Sequence, residues 1–156
     1  MNRSEYIKAG VIGDPVAHSL SPMIHNRWIA GYGLKGAYNA VRIGADELLP
    51  AARSLIDKDG YSGFNVTIPH KVSIMDLCDK IEDIARDIGS VNTVFVGDDD
   101  EIIGTNTDAF GFAENLKIAQ PEFNFAAGPA LVLGAGGAAR AIICALKTLG
   151  ISDIYI

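Results

Sequence analysis

Only two cysteines, Cys78 and Cys144, occur in 156 residues, too few for the stapled framework of a small secreted domain. Each sits in an apolar helical pattern, and both are read as reduced core residues. Basic charge is also short: 13 Lys and Arg against 19 Asp and Glu leave a formal net charge of -6, which argues against nucleic acid or an anionic membrane surface as partner. No apolar run approaches the ~20 residues that a membrane span needs. The N-terminus carries no basic, apolar, small-residue leader, so the expected location is the cytoplasm. His18, His25 and His70 show no metal-ligand spacing, and no metal site is expected. Neither an internal repeat nor a low-complexity segment is visible.

What the chain does have is a hydrophobic content of 49 %, enough to bury one sizeable core. Short apolar runs alternate with amphipathic stretches. The spacing predicts strands over 8–12, 38–43 and 63–68, and helices over 21–31, 45–58, 69–79 and 81–88. That order is the pattern of an α/β fold with an open, twisted, mostly parallel sheet flanked by helices. A hairpin is expected over 92–96 and 101–104, turning at 97–100 within reach of the acidic run 98–101, followed by a helix over 107–117. The four acids are read as a solvated turn, since adjacent carboxylates in a tight turn do not converge on one ion.

Composition changes at 119–129, where Pro121, Gly128 and Pro129 surround two phenylalanines, and this segment is read as a linker. Residues 1–118 would form one α/β domain. Residues 130–156 would open a second unit: a strand over 130–133, a glycine turn, a helix over 138–149 and the start of a strand over 153–156. One strand-helix-strand cannot cover both faces of its own sheet, so self-association with a second copy is expected, with its stoichiometry open.

Polar side chains interrupt the apolar pattern in a few places. Within GFNVTIPHK (63–71), alternation along the strand puts Asn65 and Thr67 on one face, which makes either a polar-out edge strand or one wall of a site. Pro69 is suited to open a helix, placing Lys71 in its first turn. A cation there faces the positive end of the helix dipole at a cost of about 0.3–1 kcal/mol, which suits either an exposed lysine or one that must exchange a proton. In HSLSP (18–22), Ser21 reads as an N-cap, while Ser19 has no such duty and could join helix N–H groups in receiving a carboxylate. Thr107 and Asp108 are either a cap and first-turn acid or ligands, and Asp108 could then pair with Lys71. Asn92 supplies an amide that both donates and accepts, as a polyol requires.

Finally, Gly134, Ala135, Gly136, Gly137, Ala138 and Ala139 follow an apolar strand and open a helix. They fit G-x-G-x-x-G/A in its proper context, a cradle for a dinucleotide pyrophosphate.

Taken in order, GDPVAHSLSP (13–22), NVTIPHK (65–71), SVNT (90–93), GTNTDAFG (104–111) and GAGGAAR (134–140) closely resemble the shikimate dehydrogenase family. The resemblance implies a substrate domain followed by a Rossmann-type NADP-binding domain, and NADPH-dependent reduction of 3-dehydroshikimate to shikimate. Carried over by position, Ser19 and Ser21 would bind the substrate carboxylate, and Thr67, Asn92 and Asp108 the ring hydroxyls and reacting oxygen. Lys71 would be the acid/base group, paired with Asp108. Residues 134–139 would hold NADP, with NAD not excluded. Relatives that prefer quinate or NAD, or a non-catalytic shikimate-binding fragment, are the alternatives. Family members run on for roughly another hundred residues, so weak cofactor binding is expected of this chain alone.

Overall fold

Strand β1 (Ile7–Gly13) buries its last four residues and is flanked on both sides by parallel partners, β2 (Gly36–Arg42) and β3 (Gly63–Val66). The computed structural model describes residues 6–156, so the first five residues of the expected substrate domain lie outside it. Next to β3 runs antiparallel β5 (Thr93–Val96). It makes a hairpin with β6 (Ile102–Thr105), which in turn pairs in parallel with the short edge strand β4 (Lys80–Ile81). The sheet order is β2-β1-β3-β5-β6-β4, and only β5 runs against the other five. This is the expected open, mostly parallel sheet.

Helices α1 (Ser21–Gly31), α2 (Leu48–Asp57), α3 (Asp83–Ile88) and α4 (Asp108–Ala119) connect and flank these strands. In α2 the buried residues Leu48, Ala52 and Leu55 recur at helical spacing and meet Phe64, Val66, Val94 and Ile102 of the sheet in the main core. Helix α3 ends at Gly89, whose φ of +70° is the left-handed C-terminal conformation.

A second, two-stranded parallel sheet joins β7 (Ala130–Leu131) to β8 (Ile154–Tyr155) across helix α5 (Gly137–Thr148). Helix α5 lies against α4 through buried alanines, Ala109 and Ala113 on one and Ala141 and Ala145 on the other. Without side chains beyond Cβ, the two helices approach closely.

Three local expectations are corrected. The segment 69–79 is not an α-helix but a turn followed by a 3-10 helix at Ser73–Leu77. The Lys71 carbonyl, which an α-helix would give to residue 75, instead accepts the Val91 N–H at 2.7 Å, while Met75 N–H donates to Val72. The helix expected from 81 begins at Asp83, because Lys80 and Ile81 pair with Ile103 and Gly104. The strand expected over 130–133 is confined to Ala130 and Leu131, which pair with β8, and Val132 adds one N–H to the Tyr155 carbonyl at 2.8 Å. Among the described residues, no helix is long and apolar enough to cross a membrane.

Candidate active site

The C-terminal ends of β1 and β3 open into a cavity of about 450 Å³, closed by the start of α1, the residue before β5 and the first residue of α4. Ligands in open α/β sheets sit outside these strand ends. Ser19, Ser21, Thr67, Lys71, Asn92 and Asp108 all line it, so the six expected substrate residues converge although 89 positions separate the first from the last.

At the α1 end the expected cap is corrected: the residue at the N-cap position is Leu20, not Ser21. Ser21 is the first helical residue rather than the cap, and its N–H donates to Ser19 Oγ at 3.3 Å, so Ser19 satisfies one of the orphan groups of the first turn. The Ser21 carbonyl accepts from His25 Nδ1 at 2.9 Å; since a carbonyl cannot donate, that nitrogen carries the proton. The His25 ring stacks on Tyr38 at 4.1 Å and 11° and meets Trp28 edge-on at 5.2 Å.

Across the cavity the Lys71 ammonium donates to Asp108 Oδ2 at 2.5 Å, with the two side chains 17 % and 31 % exposed. Partial burial shields this pair from solvent screening. The second carboxylate oxygen, Oδ1, accepts from Asn92 Nδ2 at 2.8 Å. Asp108 is further oriented through its own N–H, which donates to the side chain of buried Asn106, itself bonded to Ser90. Lys71 sits in a turn, so the helix-dipole argument for it falls away, and the carboxylate beside it is the group that acts on it.

From Asn92 the hydrogen bonds continue inward. Thr93 donates to Asn92 Oδ1 at 2.8 Å, Asn65 Nδ2 donates to Thr93 Oγ1 at 3.0 Å, and the Tyr38 hydroxyl donates to Asn65 Oδ1 at 2.6 Å. Burial pushes the Tyr38 phenol up to about 12. Asn65 and Thr93 face one another in the β3–β5 register. Thr93 and Tyr38 were missed by sequence reasoning. A buried tyrosine in a strand always asks for a partner, which was the available signal.

The glycine turn borders a smaller cleft of about 210 Å³, shared by Lys71, Thr67, Gly137 and Ala138. A Cβ on Gly137 would come within 3.3 Å of Lys71 Cβ, so the turn packs directly on the lysine. Gly134 has φ +121°, and a Cβ on Gly136 would meet nothing within 4 Å, leaving the α5 N-terminus open to an approaching phosphate. Ala139 does not face the cleft; it is buried with Val132 and Leu146 and ties helix to strand. Among the described residues, no group of three His, Cys, Asp or Glu could hold a metal ion, and His70 is buried with Nε2 bonded to the Ile43 carbonyl.

A family model described as the shikimate dehydrogenase substrate binding domain matches residues 11–94. The chain is 44 % identical over its whole length to shikimate dehydrogenase (NADP(+)) of Roseobacter denitrificans, covering 56 % of that protein. Among solved structures it resembles shikimate dehydrogenase from Aquifex aeolicus, with 41 % identity and a TM-score of 0.88 over 99 % of this chain and 57 % of that one. It also resembles shikimate 5-dehydrogenase of Thermus thermophilus in complex with NADP(H) and shikimate, with 38 % identity and a TM-score of 0.84 over 95 % of this chain and 55 % of that one. The chain thus spans about half the length of the relatives it matches.

Proposed function

Since the chain belongs to the family of shikimate dehydrogenase substrate binding domains, we propose that it forms the shikimate-binding part, and the first part of the dinucleotide-binding unit, of an NADP-dependent shikimate dehydrogenase. The observation that carries this reading is the Lys71–Asp108 pair at 2.5 Å lining the same cavity as Ser19 and Ser21 at the start of α1. A carboxylate receptor and a proton donor lining one cavity suit a small hydroxylated ring acid.

In this reading the Ser19 and Ser21 hydroxyls bind the shikimate carboxylate and Thr67 holds a ring hydroxyl; Asn92 exchanges its Nδ2 contact with the Thr107 hydroxyl for a second ring hydroxyl when the ligand enters, keeping its bond to Asp108. Asp108 keeps the Lys71 ammonium aimed at the reacting oxygen. During reduction of the ketone, negative charge grows on that oxygen, and the Lys71 Nζ–H bond breaks as the new O–H bond forms; in the reverse direction neutral Lys71 takes the proton back. When bound, the dinucleotide supplies or accepts the hydride. Gly134, Ala135, Gly136, Gly137 and Ala138 would hold its pyrophosphate at the start of α5, with Ala139 supporting the turn from the core. Residues 1–118 would be the substrate domain, 119–129 the linker and 130–156 the opening of the NADP-binding domain. Self-association of the 156-residue chain into a homodimer would follow from its two-stranded second sheet.

Calorimetric titration with shikimate, repeated while following Trp28 fluorescence, tests the substrate assignment. Saturable heat is expected from shikimate, and none from either NADPH or NADH at comparable concentrations. Absence of any shikimate heat with a folded chain sinks the reading. In an active enzyme carrying this domain, Lys71→Ala is expected to lower kcat by ~10²–10⁴ with a much smaller change in shikimate affinity. An affinity loss with unchanged turnover would instead make Lys71 a binding group only.

A further inference from the structure

The hydrogen bonds behind Asp108 have a single direction. A carboxylate paired with an ammonium accepts and cannot donate, so the Asn92 nitrogen must face Asp108 Oδ1. The Asn92 oxygen is thereby turned to the Thr107 N–H at 3.1 Å and to the Thr93 hydroxyl at 2.8 Å, and Thr93 must donate. With its one proton committed, Thr93 Oγ1 accepts from Asn65 Nδ2. That orients the Asn65 oxygen toward Tyr38, whose hydroxyl must donate in turn. Reversing any link would set two donors or two acceptors against each other.

Among the described residues, neither Thr93 nor Tyr38 lines the cavity; both act from behind its wall. We propose that Thr93 is a positioning residue for the acid/base pair: its hydroxyl, oriented by Asn65 and Tyr38, locks the Asn92 amide in the one orientation that holds Asp108 against Lys71. The inference rests on the Lys71–Asp108 reading for its catalytic meaning, while the locking itself is a property of the free chain.

The side-chain amide of Asn92 reports on the lock directly. In a ¹⁵N-labelled chain without ligand, its two Nδ2 protons, bonded to Asp108 Oδ1 and Thr107 Oγ1, are expected to exchange slowly with solvent. Thr93→Val keeps the shape and removes the hydroxyl; exchange at Asn92 is expected to accelerate roughly fivefold, as the loss of one net hydrogen bond predicts, with a shifted amide signal. Thr93→Ser restores the hydroxyl and should restore the slow exchange, which a purely packing role of the methyl group would not do. Tyr38→Phe should move Asn92 in the same direction by less, and it decides the matter should Thr93→Val fail to fold. Unchanged Asn92 exchange in both Thr93→Val and Tyr38→Phe overturns the proposal, as does equal loss in Thr93→Ser and Thr93→Val. A shikimate titration of the wild-type chain runs alongside. If shikimate fails to bind while Asn92 responds as expected, the substrate reading falls and the lock stands.

Discussion

Both oxygens of Asp108 are committed, Oδ2 to Lys71 and Oδ1 to Asn92, so the carboxylate cannot rotate away from the cavity. Lys71 carries three donors and uses one on Asp108, leaving others for a ligand oxygen. A buried network of this kind keeps its geometry only while every member holds its protonation state, and the Tyr38 phenol is one member that alkaline pH can change. Burial raises its phenol from 10.0 to about 12, and burial, with Asp79 nearby, raises the Cys78 thiol from 9.0 to about 11. Groups whose folded pKa is raised bind more protons in the folded state, so their contribution to stability is complete below the unfolded value and is lost as pH rises. Stability by urea titration should therefore be level up to about pH 9, then fall through the windows from 9.0 to about 11 and from 10.0 to about 12. Tyr38→Phe together with Cys78→Ala should flatten that fall. An equally steep fall in the double variant would place the alkaline sensitivity elsewhere.

Elements were legible in the sequence wherever local pattern decides them. The apolar period of α2, the hairpin around 97–100 and the glycine turn before α5 all sit where spacing puts them. The segment carrying Lys71 was not legible, because its backbone is set by a distant partner: Val91 takes the Lys71 carbonyl and buried His70 reaches the Ile43 carbonyl. Ser19 and Ser21 were placed correctly at a helix start, yet which of them satisfies the first turn depends on side-chain geometry that spacing does not encode. Thr93 and Asn65 meet only because β5 pairs with β3 in a fixed antiparallel register, a long-range fact. At the α4–α5 contact, Ala141 and Ala145 are 0 % and 1 % exposed, so no room remains for a longer side chain. Ala141→Leu is expected to destabilise the chain by about 1–3 kcal/mol and to push the glycine turn off Lys71. Denaturant unfolding measures the first, and Lys71 side-chain NMR shifts the second; a variant as stable as wild type with unmoved Lys71 signals would show that the α4–α5 contact has room for the longer side chain without displacing α5.

At the scale of the molecule, the two sheets differ in how well they are covered. Six strands and their helices bury a continuous core, whereas among the described residues β7 and β8 pack against α5, Phe112 of α4 and Phe125. Leu131, Leu133, Tyr155 and Ile156 are 68 %, 89 %, 63 % and 73 % exposed, and Leu131 and Tyr155 are neighbours in the β7–β8 register. In the 156-residue polypeptide by itself, a two-stranded sheet with exposed apolar side chains is marginal in water, and such side chains favour association. The burial that a second copy could provide here is of the same kind that the first sheet already has, so association should leave the cavity residues untouched. Sedimentation velocity over roughly a hundredfold range of concentration should show a rising average mass. Leu133→Lys, at the most exposed of the four positions, should hold the chain monomeric without changing its heat of shikimate binding. A wild-type chain that stays monomeric over the whole range would refute association through this surface. Lost shikimate binding in Leu133→Lys would instead mean that the two sheets are coupled through the α4–α5 contact, and that the covered and uncovered halves act as one body.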